Sequence, residues 1–421
     1  MDIRQRCLYS EFYPLCAVSL DLLLSEAFRV FDEVALKYRT FVLAFSGGKD
    51  STATAILFYK WVKKRVELGE RHLPRVVLLH NDTLSEIPEM EEWVEEFIRQ
   101  YKEQLQRLGA NVEVKIARPR STETWYWRVF VRGYPAPTFN FRWCVDMLKI
   151  EPTGEALRRL TNYVLIVGAR DDESGARAKS MKTRFGSCSG GGSCLGAYFT
   201  SSNDIPKAAP IRFWSYDFVW AFLKAQKEFN IDKLIELYKG IARGGSVGGR
   251  YGCWHCTLVT RQAANYYREE YLYAEAIRLL YRAISDIGEL FRIRKNQGYS
   301  RWGPINELGR AILFHAIPTA EELAGKRIFY GLDKAMVGLH TLRKIFYIMS
   351  DEDADKLIKL TDPTDRRVPL ARLRDLAAHA HQLESAINQL RHYLNSQNHK
   401  DPKINNKITE ILNRILTKNK N

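Results

Sequence analysis

The stretch "FSGGKDSTAT" (residues 45–54) joins an apolar run of β-forming residues, "TFVLAF" (40–45), to a helix-forming run, "TATAILFYKWV" (52–62). Strand, glycine turn and helix in that order bring backbone N–H groups and the positive end of a helix dipole to one point. Lys49 adds a point charge there, and Ser46 and Ser51 add hydroxyls. Such a turn suits a phosphate. Its spacing is not that of the G-x-x-x-x-G-K-[ST] loop. The expected cradle is Ser46, Gly47, Gly48, Lys49, Asp50 and Ser51, with Asp50 holding Mg²⁺ or orienting the helix start.

Working outward, "RVVLLHNDT" (75–83), "NVEVKIAR" (111–118) and "NYVLIVGAR" (162–170) read as further buried strands. "PEMEEWVEEFIRQYKEQLQRL" (88–108) reads as a helix with proline near its start, and residues 17–38 as an amphipathic helix. Strands alternating with helices predict an α/β fold, a parallel sheet with helices on both faces. Ligands bind such sheets beyond the carboxyl ends of the strands. Ser46–Ser51, Asn81–Thr83 and Gly168–Arg170 lie at those ends. Asp82 and Thr83 are candidates for the ribose or adenine, and Arg170 for a bidentate clamp on phosphate oxygens. Arg142 and Lys149 are seven apart, two helical turns, and are expected on one face. Arg177 joins them or pairs with Glu173.

Further on, "TRFGSCSGGGSCLGAYFTSSND" (183–204) and "ARGGSVGGRYGCWHC" (242–256) are glycine-rich loops carrying cysteines. From about 262 the chain reads as helical, beginning with "ANYYREEYLYAEAIRLLYRAISDIGELFRI" (264–293) as one long amphipathic helix. The tail from 400, with Lys403, Lys407, Arg414 and Lys418, reads as a short basic helix or frayed end. The expected division is a helical segment over 1–38, a nucleotide-binding α/β domain over 39–215, a cysteine-bearing and mostly helical region over 216–320, and a helical extension with a basic tail over 321–421.

The 421 residues suffice for two or three domains. Apolar residues make up 46%, enough for a large core. No run of 18 apolar residues occurs, and the start lacks the apolar centre of a signal peptide, so a cytoplasmic protein without a membrane span is expected. The formal charge of +15, from 64 basic and 49 acidic residues, points to a polyanionic partner, nucleic acid first. Seven cysteines are an odd number for a disulfide framework, and five of them fall between 144 and 256. That clustering favours a metal or redox site. Cys253 and Cys256 supply half of a four-ligand set. His255, between them, is expected to face solvent.

The S-G-G-K-D-S loop resembles the PP-loop of ATP pyrophosphatases, adenine nucleotide α-hydrolase-like proteins that cut ATP between its α- and β-phosphates. "HNDTLSEIP" (80–88), "GYPAPTFNFRWCVDMLKIEP" (133–152), "GARDDESGAR" (168–177) and "GCWHCTLV" (252–259) resemble the phosphoadenosine phosphosulfate reductase superfamily. Within it, "DTLSEIP", "GYPAPTFNFRWC" and "GCWHCT" look most like the DndC-type proteins of DNA phosphorothioation, a likeness covering roughly residues 40–315. The resemblance implies an enzyme that uses ATP and Mg²⁺ to activate a DNA backbone oxygen for replacement by sulfur. It implies a cysteine desulfurase and other phosphorothioation subunits as partners. Lys49, Asp50, Arg142, Lys149 and Arg170 would be its catalytic residues. It also implies a [4Fe-4S] cluster on Cys144, Cys194, Cys253 and Cys256, with Cys188 as the alternate fourth ligand and zinc as the alternative occupant. Relatives that carry a cluster have a Cys-Cys pair where this chain has Trp143-Cys144. Assimilatory reductases carry a C-terminal E-C-G-[IL]-H motif, and this chain has no cysteine after Cys256. A reductase freeing sulfite from a nucleotide sulfate, a tRNA thiolation enzyme and a nucleotide-sensing subunit are the alternatives.

Overall fold

The structure, a computed structural model, describes residues 13–173, 179, 181–183, 185, 195–200, 205–239, 251–259, 263–294, 302–329, 380–397 and 401–418. Strands β1 (Thr40–Phe45), β2 (Arg75–Asn81), β3 (Val112–Ala117), β4 (Tyr163–Ile166), β5 (Phe199–Thr200) and β6 (Lys207–Ala208) form one sheet in the order β3-β2-β1-β4-β6-β5. All neighbours run parallel except β5 against β6. β1 is central, with Phe45 level with His80 of β2. The apolar runs at β1 and β2 are strands covered on both faces, as a mostly parallel sheet requires, while the edge strand β3 is only partly covered.

Three helices cover one face: α1 (Tyr13–Ala35), α2 (Lys49–Glu67) and α3 (Pro88–Arg107). Phe41, Leu43 and Phe45 of β1 point into this layer and join Phe31, Phe58, Trp61, Trp93 and Phe97. Val42 points the other way, with Val77, Leu79 and Leu165, against Leu157 of α4 (Glu151–Leu157). The period-two alternation of a strand divides the run between two cores.

β4 ends at Ile166, short of the expected 170. A Cβ on Gly168 would lie 2.7 Å from the Asp50 carbonyl oxygen, so the chain leaves the sheet as it crosses the start of α2. α1 covers 13–35 instead of 17–38.

Beyond the sheet lie α5 (Tyr216–Lys224) and α6 (Asp232–Lys239). The long helix expected from 264 is broken. Two 3₁₀ turns, Ala263–Tyr266 and Glu269–Tyr271, precede α7 (Leu272–Asp286). The break after α7 has a local cause. Ile287 leaves the helical region at ψ 75°, and Gly288 lies against the Trp302 indole so closely that a Cβ would overlap it at 2.2 Å. A strand pair then interrupts the helical region, β7 (Arg292–Arg294) antiparallel to β8 (Trp302–Ile305). α8 (Glu307–Ala324) starts on an Asn306 side-chain cap and ends at Gly325, φ +62°. α9 (Ala380–Ser396) and α10 (Pro402–Lys418) follow, and α10 is a full helix of the basic tail. α7, α8 and α10 share one core, with Ile277, Leu280, Ile312, Ile408 and Leu412 buried. Among the described residues no helix is long and apolar enough to cross a membrane.

Candidate active site

The glycine loop lies at the carboxyl end of β1. Gly47 has φ +75°, and a Cβ there would sit 2.4 Å from Val94 Cγ2 of α3, so the position admits only glycine. Its carbonyl accepts from Trp93 Nε1 at 2.8 Å. Ser51 Oγ donates to the Gly48 carbonyl at 3.0 Å and accepts from Ser46 N at 3.2 Å, which closes the loop on itself.

Lys49 and Asp50 form one unit with Arg170. Lys49 Nζ is 2.8 Å from Asp50 Oδ2, and Arg170 Nε donates to Asp50 Oδ1 at 2.7 Å. Arg170 also donates through Nη1 to Asp172 at 3.2 Å and to the Trp214 carbonyl at 2.9 Å. The guanidinium expected to clamp phosphate therefore grips Asp50 and is buried. It fixes the carboxylate that fixes Lys49. Tyr216 of α5 and Tyr238 of α6 flank the lysine, with Nζ 5.3 Å and 5.9 Å from their ring centroids. The Lys49 N–H donates to Tyr238 Oη at 3.4 Å. These cations are held before any ligand arrives, which removes reorganisation from the binding step.

The turn after β2 is the second element. Asp82 is buried; its Oδ1 accepts from Leu84 N at 3.0 Å and its Oδ2 from Arg118 Nε at 2.8 Å. Leu84 has φ 59°, in a region branched and bulky side chains avoid. Thr83 Oγ1 donates to Glu86 at 2.6 Å and lies 3.3 Å from Cys253 Sγ. The Ser85 carbonyl accepts from Trp254 N at 2.9 Å, and Ser85 Oγ is 3.0 Å from His255 Nε2. The turn at the β2 end and the Cys-x-x-Cys turn are thus joined along their length. The Asp82, Glu86 and Glu91 carboxylates lie within 4.8 Å of one another.

The thiols meet over this turn. Cys253 is buried, and Cys144 and Cys256 are half-buried. Burial pushes the Cys144 thiol up to about 12, and neighbouring Cys253 and Cys256 add to the shift. Burial pushes Cys253 up to about 11, against the pull of Lys149. The Lys149 ammonium is itself raised, first by Cys253. The Lys149 carbonyl accepts from Asn81 Nδ2 at 2.8 Å, which places this segment over the end of β2. Cys253 and Cys256 lie near enough to Cys144 to add to its shift, and thiols are the donor type that a thiophilic metal or cluster takes. Cys188, Cys194 and Arg177 lie outside the described residues.

Two expectations change here. Arg142 and Lys149 are not two α-turns apart, because Arg142 precedes the helix and Asp146–Ile150 is a π-helical turn, which is wider. Arg142 lies over the Phe139 ring, centroid distance 5.3 Å, while Lys149 faces the thiols. His255 is not at the solvent. It is 1% exposed and stacks on Trp125, centroids 4.7 Å apart, and burial lowers its pKa to about 3, so it is neutral.

Sequence reading missed the residues that hold the thiol turn. Arg278 of α7 donates to the Cys256 carbonyl at 3.2 Å and the Val259 carbonyl at 3.1 Å, and pairs with Glu275 at 2.8 Å through Nε. Asn265 bridges Glu275 and the Trp254 carbonyl, both at 2.8 Å. Glu275 and Arg278, three apart within a mostly apolar helix, were the available signal. Tyr216 and Tyr238 had none.

The chain is similar to known proteins in three comparisons. The phosphoadenosine phosphosulfate reductase domain matches residues 40–259, which hold every loop described above. An uncharacterized protein of Methanocaldococcus jannaschii is 29% identical over 234 residues, 55% of this chain, and the chain spans 38% of that relative's length. A crystal structure of phosphoadenylyl-sulfate reductase from Candida auris, in complex with phosphate, superposes with TM-score 0.31 at 15% identity, covering 49% of this chain and 84% of that one.

Proposed function

We propose, for a chain that belongs to the phosphoadenosine phosphosulfate reductase family, that its nucleotide-dependent sulfur chemistry is the ATP-driven replacement of a DNA backbone oxygen by sulfur, as in DndC-type proteins. One observation carries the reading: Thr83 Oγ1 lies 3.3 Å from Cys253 Sγ, so a thiol site sits at the carboxyl end of β2, beside the strand that carries the phosphate loop. Nucleotide activation and sulfur handling then share one sheet edge. The charge of +15 suits a polyanionic substrate.

In this reading the loop N–H groups and Lys49 bind the β- and γ-phosphates, Asp50 faces Mg²⁺, and Arg170 positions Asp50. A non-bridging oxygen of the DNA phosphate attacks the α-phosphorus, and the bond to the bridging oxygen breaks. Pyrophosphate leaves into the field of Lys49. The terminal sulfur of a persulfide, supplied by a cysteine desulfurase, attacks the activated backbone phosphorus. AMP departs with the original oxygen. Two electrons from a reducing partner then cleave the S–S bond, leaving the phosphorothioate and a thiol. Cys144, Cys253 and Cys256, with Cys194 or Cys188, would hold a [4Fe-4S] cluster, which when bound supplies one-electron transfer; zinc on the same thiols is the alternative.

The family match supports equally a reductase that releases sulfite from a nucleotide sulfate. tRNA thiolation shares the adenylylation step of the first reading, and a sensing subunit would bind ATP without turnover. The test is pyrophosphate release from ATP and Mg²⁺ by anaerobically reconstituted protein with DNA, with tRNA and with neither. A parallel reaction with nucleotide sulfate and reductant is scored for sulfite. DNA-stimulated release that vanishes in Lys49→Ala is the expected result. Sulfite with ATP left intact would establish the reductase in its place, and release stimulated only by tRNA would redirect the substrate.

A further inference from the structure

Residues 138–142, "TFNFR", form an exposed two-residue hairpin that the chemistry above leaves unused. Thr138 and Phe141 exchange backbone hydrogen bonds at 3.2 and 3.1 Å. Phe139 is 72% exposed and Phe141 47% exposed. Placing two phenyl rings in water is unfavourable, by about 1.5–3 kcal/mol for each ring relative to full burial, and nothing in the hairpin's own geometry requires it.

The base of this hairpin is firmly held. The Pro137 carbonyl accepts from Thr257 Oγ1 at 3.0 Å, the Pro135 carbonyl from Trp143 Nε1 at 3.0 Å, and Ala136 N donates to Ser285 Oγ at 2.8 Å. Those anchors belong to the thiol turn, to α7 and to the turn that carries Cys144. The rings are therefore presented at a fixed place, five and three residues before Cys144. Phe141 lies nearly parallel to Tyr134, interplanar angle 21°, and the Arg142 guanidinium lies over Phe139.

Further cations lie along the carboxyl edge of the sheet. Lys149 faces the thiols. Arg118 and Arg120 follow β3, with side chains 51% and 70% exposed. Arg118 pairs with Asp82, and Arg120 only loosely with Glu155 at 3.6 Å. Asp146 and Glu151 are the exposed acids nearby in sequence. Exposed ring faces interleaved with guanidinium groups match one occupant well. A base offers a π-face of similar size, and its phosphates offer the countercharge. A duplex hides its base faces in the stack, so the base must be unpaired.

We infer that the Phe139–Arg142 hairpin is a stacking platform for an unpaired nucleotide of the substrate strand, holding the adjacent backbone phosphate over the thiol site. This rests on the reading that the substrate is a nucleic acid. The test uses the full-length chain and a short single-stranded DNA carrying 2-aminopurine, whose emission falls when it stacks. Wild type should bind the strand with quenching and bind its duplex more weakly. Phe139→Ala should weaken strand binding about 5- to 100-fold, the loss of one stacked base, and relieve the quenching. Phe139→Trp should retain both, and binding of an ATP analogue should be unchanged throughout. Wild type that binds no nucleic acid would overturn this inference together with the nucleic-acid reading. Wild type that binds while Phe139→Ala matches it in affinity and quenching would overturn the platform alone. Loss of desulfurase binding in Phe139→Ala, with strand binding intact, would give the hairpin to a protein partner and equally overturn it.

Discussion

At Gly47 two demands coincide. The backbone adopts φ +75°, and α3 approaches until Val94 would touch any added Cβ at 2.4 Å. A left-handed conformation costs a non-glycine residue about 1–2 kcal/mol, and the clash must in addition displace the loop or α3. Gly47→Ala is therefore expected to lower stability by about 1–3 kcal/mol and to weaken ATP binding at least about tenfold. Urea denaturation and calorimetric titration with a non-hydrolysable analogue measure the two effects. Undiminished affinity would show that the loop tolerates a shifted backbone and would separate it from the nucleotide. Lys49 illustrates the neighbouring case: its charge is useful because Asp50, Tyr216 and Tyr238 hold it in place.

Among the elements, α7 links the two halves of the site. It is buried on nearly every side, yet contains Glu275 and Arg278, 2% and 1% exposed. The pair exists because the Cys256 and Val259 carbonyls need donors where no helix or sheet supplies them. Removing one member leaves a buried charge and two orphaned carbonyls. Arg278→Met is expected to cost about 3–5 kcal/mol and to loosen the thiol turn, seen as faster alkylation of Cys256 in the metal-free protein. Glu275→Leu combined with Arg278→Met should recover part of the stability, since the isolated charge is then gone. A double variant no better than the single one would mean that the carbonyl contacts, and not the charge, dominate. The strand pair β7–β8 shows a similar dependence, because Gly288 must be small for Trp302 to pack.

Across the whole molecule, Glu89 ties the sheet domain to the helical region. It stands in the first turn of α3 and meets Tyr271, Lys326 at 3.0 Å and Arg268 at 3.5 Å. Burial raises this carboxyl, but the Tyr271 hydrogen bond and Lys326 outweigh it and leave the pKa below its ordinary value. A depressed carboxylate stabilises the fold above its unfolded pKa, and that contribution is lost as pH falls through the folded value. Glu89→Gln should therefore destabilise the protein at pH 7 and flatten the acid side of its stability curve near about pH 4. Chemical denaturation of both proteins at pH 7, 5 and 4 measures the difference. Parallel curves would remove Glu89 as the acid-sensitive link between the two regions.

The order strand, glycine loop, helix and the doubled apolar runs determined the parallel sheet and the place of its ligand edge, because both depend on local propensity and on the period of burial. The phosphate loop was legible for the same reason: the Ser46–Ser51 closure is an interaction within six residues. Long-range packing decided the rest. The burial of His255 on Trp125 and the engagement of Arg170 by Asp50 each depend on a surface brought from far along the chain. The convergence of Cys144 with Cys253 and Cys256 belongs to the same class, since spacing in sequence sets no distance between segments more than a hundred residues apart. What joins them is the end of β2: the Ser85 carbonyl accepts from Trp254 N, Thr83 Oγ1 lies 3.3 Å from Cys253 Sγ, and Asn81 Nδ2 donates to the Lys149 carbonyl beyond Cys144, contacts that only the folded sheet can place.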